Sequence, residues 1–353
     1  MRRRTKVISV GSVMIGNPHT ISIQSMTTTE TKDIKNTIEQ IQQLEKAGCD
    51  IVRLAIKDKE DAQAVERIKK SVSIPVIGDI HYDYRLALSV IDYGIDKIRI
   101  NPGNIGSLKR TEMIIKKAAD NHIPIRIGVN SGSIKKEILD KYGGVNARAM
   151  VASALEYIDF FEEQGFEDII ISMKASSVPL TIESYRLICE KVHYPMHIGI
   201  TEAGTFFKGS IRSAVGIGSL LSMGIGDTLR VSLTDDPLNE IKVAKEILKS
   251  LELRDEGVTI VSCPTCGRCR VNLIEIANRV EEKVKDIKAP LKIAIMGCSV
   301  NGPGEAKEAD IGIASGNKTG VLFKKGTIIK RVPEDKIIDE LVKEIRNMVN
   351  NGG

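Results

Sequence analysis

Eight short apolar runs between residues 20 and 257 place the strongest constraint on the fold. Each run is rich in Ile and Val and ends in polar residues, and a segment with helical periodicity usually follows. Such continuous runs are typical of strands buried in a parallel sheet. In order, they read TISIQSMT, IVRLAI, PVIGDIH, KIRINPG, IPIRIGVNSG, DIIISMK, MHIGITE and TLRVSLT. Eight β-then-α units in roughly 240 residues predict an α/β fold of the TIM (β/α)8 barrel type.

The segments around these runs support the barrel. After the first run, apolar residues recur at helical spacing from Ile34 to Leu44, and Gly48 supplies a stop signal. An open doubly wound sheet is the alternative, but it predicts a Gly-rich dinucleotide fingerprint where the sequence reads QSMTTTET. The preceding segment, KVISVGSVMIGNPHT, predicts a short hairpin that plugs the barrel floor. Residues 209–228 are Gly-rich, and a closely packed helix is favoured there over a phosphate-binding loop.

The sequence pattern changes near Val258. A strand, VTIVS, leads into a group of cysteines, and a helix, further short strands and a final amphipathic helix follow. This order predicts a small α+β domain. We therefore expect two domains, a substrate-binding barrel over residues 1–257 and a metal-binding domain over residues 258–353, joined by the linker LRDEG.

Composition excludes several classes of function. The net charge is only +5 over 353 residues, Trp is absent and aromatic residues make up 4%, which argues against a nucleic-acid partner. No apolar run is long enough to cross a bilayer, and the basic start lacks a convincing signal-peptide cleavage site, so we expect a cytoplasmic protein without a membrane partner. Six clustered cysteines favour a metal site in a reducing compartment over a disulfide scaffold. Cys49 and Cys189 fall in predicted barrel helices and are interpreted as buried structural residues.

Five cations interrupt the apolar runs, where an unpaired charge is costly. They are Arg53, Arg99, Arg126, Lys174 and Arg230. Structural ion pairs are one interpretation. However, strand alternation pairs these cations with further polar side chains, and all are predicted to lie toward the carboxyl ends of the strands, where barrel active sites form. These side chains are Asn101, Asn130 and Ser232, with Asp79 and His81 on a neighbouring run. Because arginine binds phosphate oxygens in a bidentate manner, the set predicts a small anionic substrate, most simply a diphosphate.

Three residues at the same strand ends are candidate proton carriers: Asp79, His81 and Glu202. His81 could instead orient a neighbouring side chain, and Glu202 could be a counter-ion to one of the arginines. His197 lies on a strand but is predicted to face away from Glu202, and it is assigned no role.

The cysteine spacing favours an iron–sulfur cluster. A zinc site would need a second Cys pair or two histidines, whereas C-x-x-C-x-x-C with a distant cysteine is typical of a [4Fe–4S] cluster. The spacing identifies Cys263, Cys266, Cys269 and Cys298. Four thiolates would leave no position for a substrate, and Glu305, seven residues beyond Cys298, offers a more easily displaced oxygen ligand. Spacing alone does not choose between Cys269 and Glu305.

A series of motifs covers nearly the whole chain. They are QSMT, IVRLA, GDIHYD, KIRINPGNIG, IRIGVNSGS, ISMKAS, GITEAG, SCPTCGR and GCSVNGPGEA. In these motifs the sequence closely resembles the bacterial 4-hydroxy-3-methylbut-2-enyl diphosphate synthases of the non-mevalonate isoprenoid pathway. The resemblance implies a two-electron reductive ring opening with loss of water. The implied substrate is 2-C-methyl-D-erythritol 2,4-cyclodiphosphate, and the implied product is 4-hydroxy-3-methylbut-2-enyl diphosphate.

The resemblance also implies roles for individual residues. The cluster ligands would be Cys263, Cys266, Cys298 and Glu305, with Cys269 outside the ligand set. The five strand cations would bind phosphate, with Asn101, Asn130 and Ser232 nearby, and Glu202 would be the acid–base residue. The implied partners are ferredoxin or flavodoxin as electron donor and a second copy of the chain in a head-to-tail homodimer. The rivals are an electron-transfer protein with an all-cysteine cluster and a zinc protein with a phosphate-binding barrel.

Overall fold

The computed structural model describes residues 2–269, 271–298, 308–316 and 318–351. It divides into two compact units, Met1–Arg254 and Asp255–Gly353, which are described separately.

The first unit contains a two-stranded hairpin and eight parallel strands in a ring. The hairpin strands are β1 (Ile8–Val10) and β2 (Val13–Ile15); the ring strands are β3 (Ser22–Met26), β4 (Ile51–Ala55), β5 (Val76–Asp79), β6 (Lys97–Ile100), β7 (Ile125–Asn130), β8 (Ile169–Lys174), β9 (His197–Ile198) and β10 (Thr228–Leu229). Their order is β8-β7-β6-β5-β4-β3-β10-β9, and a parallel bridge between Ile171 and Met196 joins the two ends. All eight apolar runs contain a strand, and the predicted TIM barrel is confirmed.

The barrel is surrounded by helices whose first turns are mostly capped by Asp, Asn or Ser side chains, which accept hydrogen bonds from otherwise free amides. They are α1 (Ile34–Ala47), α2 (Lys59–Lys69), α3 (Tyr84–Asp92), α4 (Pro102–Ile105), α5 (Leu108–Asp120), α6 (Lys136–Tyr142), α7 (Ala147–Glu163), α8 (Val178–Cys189), α9 (Phe206–Ser222) and α10 (Pro237–Ser250). Most of the Gly-rich segment is therefore helical, as predicted. A Cβ at Gly216 would lie 2.4 Å from Ile200 Cδ1, so the small residue permits close packing on the barrel.

The hairpin closes the floor of the barrel. Ile8, Val10 and Ile15 of the hairpin are buried in one cluster with Ile51, Ile77 and Ile170 from three barrel strands. Because side chains alternate along a strand, the residues two positions beyond these isoleucines face the same side. They are Arg53, Asp79 and Ser172, so the barrel interior changes from apolar at the floor to polar above it.

The junction of β8 and β9 is completed by a side chain. The Tyr185 hydroxyl of α8 donates to the His197 carbonyl at 2.5 Å and accepts from the Met173 N–H at 3.0 Å. One phenol thereby satisfies backbone groups of both strands where β9 is only two residues long.

The second unit is a five-stranded sheet with two helices. The strands are β11 (Val258–Ser262), β12 (Leu291–Met296), β13 (Ile311–Ser315), β14 (Thr319–Lys324) and β15 (Thr327–Pro333), and the helices are α11 (Leu273–Val284) and α12 (Ile337–Asn351). The strands lie in sequence order; the first three are parallel and the last two antiparallel to their neighbours. Apolar faces of both helices share one buried cluster with the sheet, which confirms the predicted α+β fold.

Candidate functional site

Asp79 is the centre of a buried charge network at the end of β5. Its Oδ1 accepts from Arg99 Nη1 at 3.1 Å, and its Oδ2 lies 3.7 Å from Arg53 Nε and 3.3 Å from His81 Nε2. Burial alone would raise the pKa of the Asp79 carboxyl. The opposing effects of Arg53, the His81 hydrogen bond and Arg99 are larger together, and they hold this pKa well below its usual range. Asp79 is therefore an anion that fixes two arginines.

Arg53 is held between Asp79 and the β3 strand. Its Nη2 and Nε lie 3.0 and 3.2 Å from the Met26 sulfur, a weak acceptor that leaves the guanidinium largely uncompensated. Burial lowers the pKa of Arg53 to about 10, although Asp79 acts in the opposite direction. The side chain is thus a cation in a poorly solvated position, where a bound anion would be stabilising.

Arg230, just beyond β10, is fixed from the helix layer. Its Nε and Nη2 each donate to a Glu240 carboxylate oxygen at 3.2 Å, and Glu240 is buried on α10. Glu240 also accepts from Ser25 Oγ and from the Leu233 N–H, both at 3.0 Å. Two hydrogen bonds to a carboxylate that Ser25 and Leu233 also hold therefore set the direction of the Arg230 guanidinium.

Arg126 lies deeper than expected. It is the second residue of β7, not near the carboxyl end of that strand, and it is only 1% exposed. The prediction that all of these cations lie toward the strand ends is therefore wrong for Arg126. Its Nη1 lies 3.5 Å from Gln24 Oε1, and its Nε has no hydrogen-bond partner among the described residues. Burial, with repulsion from Arg53 and Arg99, lowers the pKa of Arg126.

Lys174 ends β8 beside Gly199. Burial lowers the pKa of its ammonium group, and repulsion from Arg126, Arg53, Arg230 and Arg99 adds to the effect. A Cβ at position 199 would lie 3.1 Å from Lys174 Nζ and 2.5 Å from the Arg230 carbonyl oxygen. Glycine is therefore required at position 199, where the Arg230 backbone and the Lys174 side chain both approach closely.

The neighbouring polar residues occupy different environments. Asn101 is buried, and its side-chain oxygen caps α4 by accepting from the Gly103 N–H at 3.2 Å. Its amide nitrogen is buried and has no hydrogen-bond partner in the described chain. Asn130 ends β7, and Ser232 lies just beyond β10; both are partly exposed.

The candidate proton carriers differ in their contacts. His81 has a side chain that is 48% exposed, and its Nε2 also lies 3.3 Å from Arg99 Nη1. Glu202 follows β9 in an exposed turn with a left-handed φ of 54°. Within the described residues, no hydrogen bond or ion pair joins Glu202 to the cations, so no contact supports the alternative that Glu202 is a counter-ion to one of the arginines.

Sequence analysis did not assign four residues to this site: Gln24, Lys97, His197 and Glu240. Lys97 and His197 are completely buried inside the barrel strands. Alternation could have identified Lys97, because it lies two residues before Arg99 on the same strand. Glu240 had no such signal, because its partner Arg230 lies on a different element.

The cysteine loop brings Cys263 close to the residue before Cys298. The Gly297 N–H donates to Cys263 Sγ at 3.2 Å. Cys266 is exposed, and hydrogen bonds from the Arg268 backbone and side chain lower the pKa of its thiol. Cys269 differs, because its Sγ donates to the Val271 carbonyl at 3.3 Å. A Cβ at Gly297 would lie 2.5 Å from Cys269 Sγ, so the two residues are in close contact.

The fourth predicted ligand, Glu305, lies outside the described residues. Among the residues that are described, no group of three or more His, Cys, Asp or Glu side chains is arranged to hold a metal ion. The donor chemistry nevertheless fits an iron–sulfur cluster. Thiols follow two adjacent strands of one sheet, and a backbone amide already points at the sulfur of Cys263.

Comparison with known proteins decides the family. The model of the GcpE TIM-barrel domain matches residues 5–245, and that of the GcpE protein C-terminal domain matches residues 259–347. The chain belongs to the GcpE family. Among the described helices of this GcpE chain, none is long and apolar enough to cross a membrane.

Curated relatives match the GcpE chain over almost its full length. One, from Ruminiclostridium cellulolyticum, is 59% identical over 98% of both chains. Another, from Caldanaerobacter subterraneus subsp. tengcongensis, is 55% identical over 99% of this chain and 98% of the relative. Both are named 4-hydroxy-3-methylbut-2-en-1-yl diphosphate synthase (flavodoxin).

Solved structures show similarity to the barrel fold alone. A dihydropteroate synthase from Yersinia pestis superposes with a TM-score of 0.51 at 9% identity, covering 70% of this chain and 98% of that structure. One from Stenotrophomonas maltophilia gives 0.50 at 12% identity with the same coverage.

Proposed function

We propose that this chain catalyses the reductive ring opening and dehydration of 2-C-methyl-D-erythritol 2,4-cyclodiphosphate to 4-hydroxy-3-methylbut-2-enyl diphosphate. The observation that carries the proposal is the surplus of positive charge inside the barrel. Within the described residues, two paired carboxylates, Asp79 and Glu240, oppose the five cations Arg53, Arg99, Arg126, Lys174 and Arg230. Relatives that match almost the full chain carry the name of this synthase, which makes the diphosphate the natural counter-ion.

The two carboxylates orient the cations for phosphate binding. Asp79 holds Arg99 and Arg53, and Glu240 holds Arg230, so their guanidinium groups need no reorganisation when the anion enters. The unpartnered Asn101 amide would donate to a phosphate or ester oxygen, and Asn130 and Ser232 lie at neighbouring strand ends. Lys174 would add a point charge. His81 would close the Asp79 side of the site.

Glu202 is the proposed acid–base residue. It follows β9, and an exposed carboxyl in a turn can approach a substrate held at the strand ends. Its task would be to deliver the proton that accompanies loss of water.

Cys263, Cys266, Cys298 and Glu305 are the proposed ligands of a [4Fe–4S] cluster. When bound, the cluster supplies the two electrons of the reaction one at a time. Cys269 is proposed to lie outside the ligand set, because its thiol donates to Val271. The assignment of Glu305 rests on the family resemblance. A flavodoxin, as in the relatives' name, or a ferredoxin would supply the electrons.

We further propose a cytoplasmic, head-to-tail homodimer. Residues 1–257 would bind the substrate and residues 258–353 the cluster, so that the cluster domain of one subunit serves the barrel of the other.

Anaerobically purified protein tests the proposal. We expect iron and sulfide in equal amounts, and we expect the allylic diphosphate to appear when cyclodiphosphate and reduced flavodoxin are added. Stoichiometric zinc without iron or sulfide would support the zinc protein instead. A redox-active cluster that leaves the cyclodiphosphate unchanged would support the electron-transfer protein.

A further inference from the structure

Two titratable side chains on barrel strands are buried and have no hydrogen-bond partner in the described part of the chain. Lys97 on β6 and His197 on β9 are both completely buried. Neither Lys97 Nζ nor either imidazole nitrogen of His197 has a hydrogen-bond partner among the described residues. Lys97 pairs in register with the floor residue Ile77. It lies two residues before Arg99 on β6, so both side chains face the same side of the sheet. Lys97 therefore belongs to the layer between the apolar floor and the proposed substrate-binding cations, and His197 is close enough for Lys97 to lower its pKa.

Burial and nearby positive charges are the largest influences on the pKa values of these two groups. Burial, Arg126 and Arg53 all lower the pKa of Lys97. Burial also has the largest effect on the pKa of His197 and lowers it. The positive charges of Arg126, Lys174, Lys97 and Arg53 lower this pKa further. The nearby carboxylates are engaged elsewhere, because Asp79 bonds Arg99 and Glu240 bonds Arg230. In the free protein, both groups are consequently held toward their neutral forms.

We propose that Lys97 and His197 are proton acceptors coupled to substrate binding, so that the cyclic diphosphate and protons from solvent bind together. This inference rests on the proposed function for the identity of the anion. A dianion beside Arg53 and Arg126 offsets part of the repulsion that disfavours a positive charge on Lys97 and His197. Each acceptor nitrogen then uses its lone pair to form an N–H bond with a solvent proton, and no electron transfer is involved.

The chemistry of the substrate makes this coupling measurable. Each phosphorus of a cyclic diphosphate carries a single acidic oxygen, which is already ionised at neutral pH. The ligand therefore has no group that gains a proton near pH 7. Any net proton uptake on binding comes from the protein. Thermodynamic linkage requires the affinity to fall as pH rises, by about tenfold per pH unit for each proton taken up.

Calorimetric titration of the anaerobic, oxidised holoenzyme with cyclodiphosphate tests the inference, because turnover cannot occur without reductant. The binding enthalpy is measured at one pH in PIPES, HEPES and Tris, whose ionisation enthalpies differ, and the slope gives the number of protons exchanged. We expect net uptake by the wild type. We expect less uptake, by up to one proton each, in Lys97→Met and His197→Asn. Lys116→Met, which removes an exposed lysine of α5, should match the wild type.

The outcomes separate this inference from the function on which it rests. Binding of cyclodiphosphate by the wild type with no proton uptake overturns the coupling and leaves the proposed function intact. Uptake that is unchanged in both variants also overturns it, since the protons would then belong to another group such as Lys174. Absence of any binding contradicts the proposed function itself. The wild-type measurement and its pH dependence remain decisive if Lys97→Met fails to fold.

Discussion

Arg230 and Glu240 form a two-point ion pair between the end of a barrel strand and the surrounding helix α10, with both N–O distances at 3.2 Å. The same carboxylate accepts from Ser25 and from the Leu233 backbone. Glu240 therefore joins α10 to β3 and to the segment that follows β10 at one buried point. Its role is to hold a cation in place, which ties the geometry of the anion site to the packing of a helix outside the barrel.

Removal of this carboxylate should destabilise the protein. We expect Glu240→Ala to lower the free energy of unfolding by up to about 3–5 kcal/mol, because it leaves the partly buried Arg230 without its carboxylate partner. Glu240→Gln keeps one acceptor oxygen and should cost less. Urea denaturation monitored by circular dichroism measures both effects. Glu246→Ala changes an exposed carboxylate of the same helix and is the control. An equal effect of Glu246→Ala and Glu240→Ala would argue against a special role for the pair.

Asp79 should contribute to stability at neutral pH and lose that contribution in acid. Its folded-state pKa is depressed, so the stabilisation is present above the unfolded pKa of about 3.9 and declines as pH falls below that value. In Asp79→Asn, we expect a flatter dependence of unfolding free energy on pH below about pH 4. Denaturation midpoints between pH 2 and pH 6 measure the slope. Parallel curves for the two proteins would show that another carboxylate controls the acid transition.

Substitution of Cys269 and Glu305 should separate the two candidates for the fourth cluster ligand. Because the Cys269 thiol donates to the Val271 carbonyl, Cys269→Ser should retain iron, sulfide and most activity. Glu305→Ala should lose most activity. Iron and sulfide analysis and the visible spectrum, both under anaerobic conditions, provide readouts apart from turnover. The reverse pattern would favour the cluster with four cysteine ligands.

The contact between Gly297 and Cys269 predicts a steric effect on cluster assembly. An added Cβ at position 297 would lie 2.5 Å from Cys269 Sγ and 3.4 Å from its Cβ. We expect Gly297→Ala to displace the backbone beside Cys298 and lower the iron content. Adding Cys269→Ala removes the nearest atom and should restore part of it. Gly218→Ala, where nothing lies within 4 Å, is the matched control. Full iron content in Gly297→Ala would rule out the steric effect.

The sequence predicted the strands well because a buried parallel strand needs a continuous apolar run, and eight such runs are hard to place in another fold. It singled out five strand cations for the same reason, since a charge inside such a run is conspicuous, but it missed Lys97, the first residue of its run. The depth of these cations inside the barrel was harder to predict. Arg126 lies low in the barrel because β7 begins at Ile125, and the start of a strand depends on pairing with its neighbours.

The remaining features depend on contacts distant in sequence. Glu240 resembles any acidic residue in the first turn of a helix, where it would normally face solvent. His197 lies on a strand of two residues, too short for alternation to indicate which side it faces. Cys269 matches cluster spacing in the sequence just as Cys263 and Cys266 do, and the hydrogen bond of its thiol to the Val271 carbonyl is visible only in the structure.

The junction between β8 and β9, where the Tyr185 hydroxyl connects Met173 to His197, is a weak point in the ring of strands. Along β4 to β7, both edges of each strand are bonded by backbone ladders, whereas this junction depends partly on one phenol from the helix layer. Amide protons at the junction should therefore exchange with deuterated solvent sooner than those of β4 to β7. Lys174 and Arg230 lie on opposite sides of β9, so an anion held by both would bridge this weak line. Binding of the anion would then make local opening of the barrel at this junction less favourable, and local opening would weaken binding of the anion.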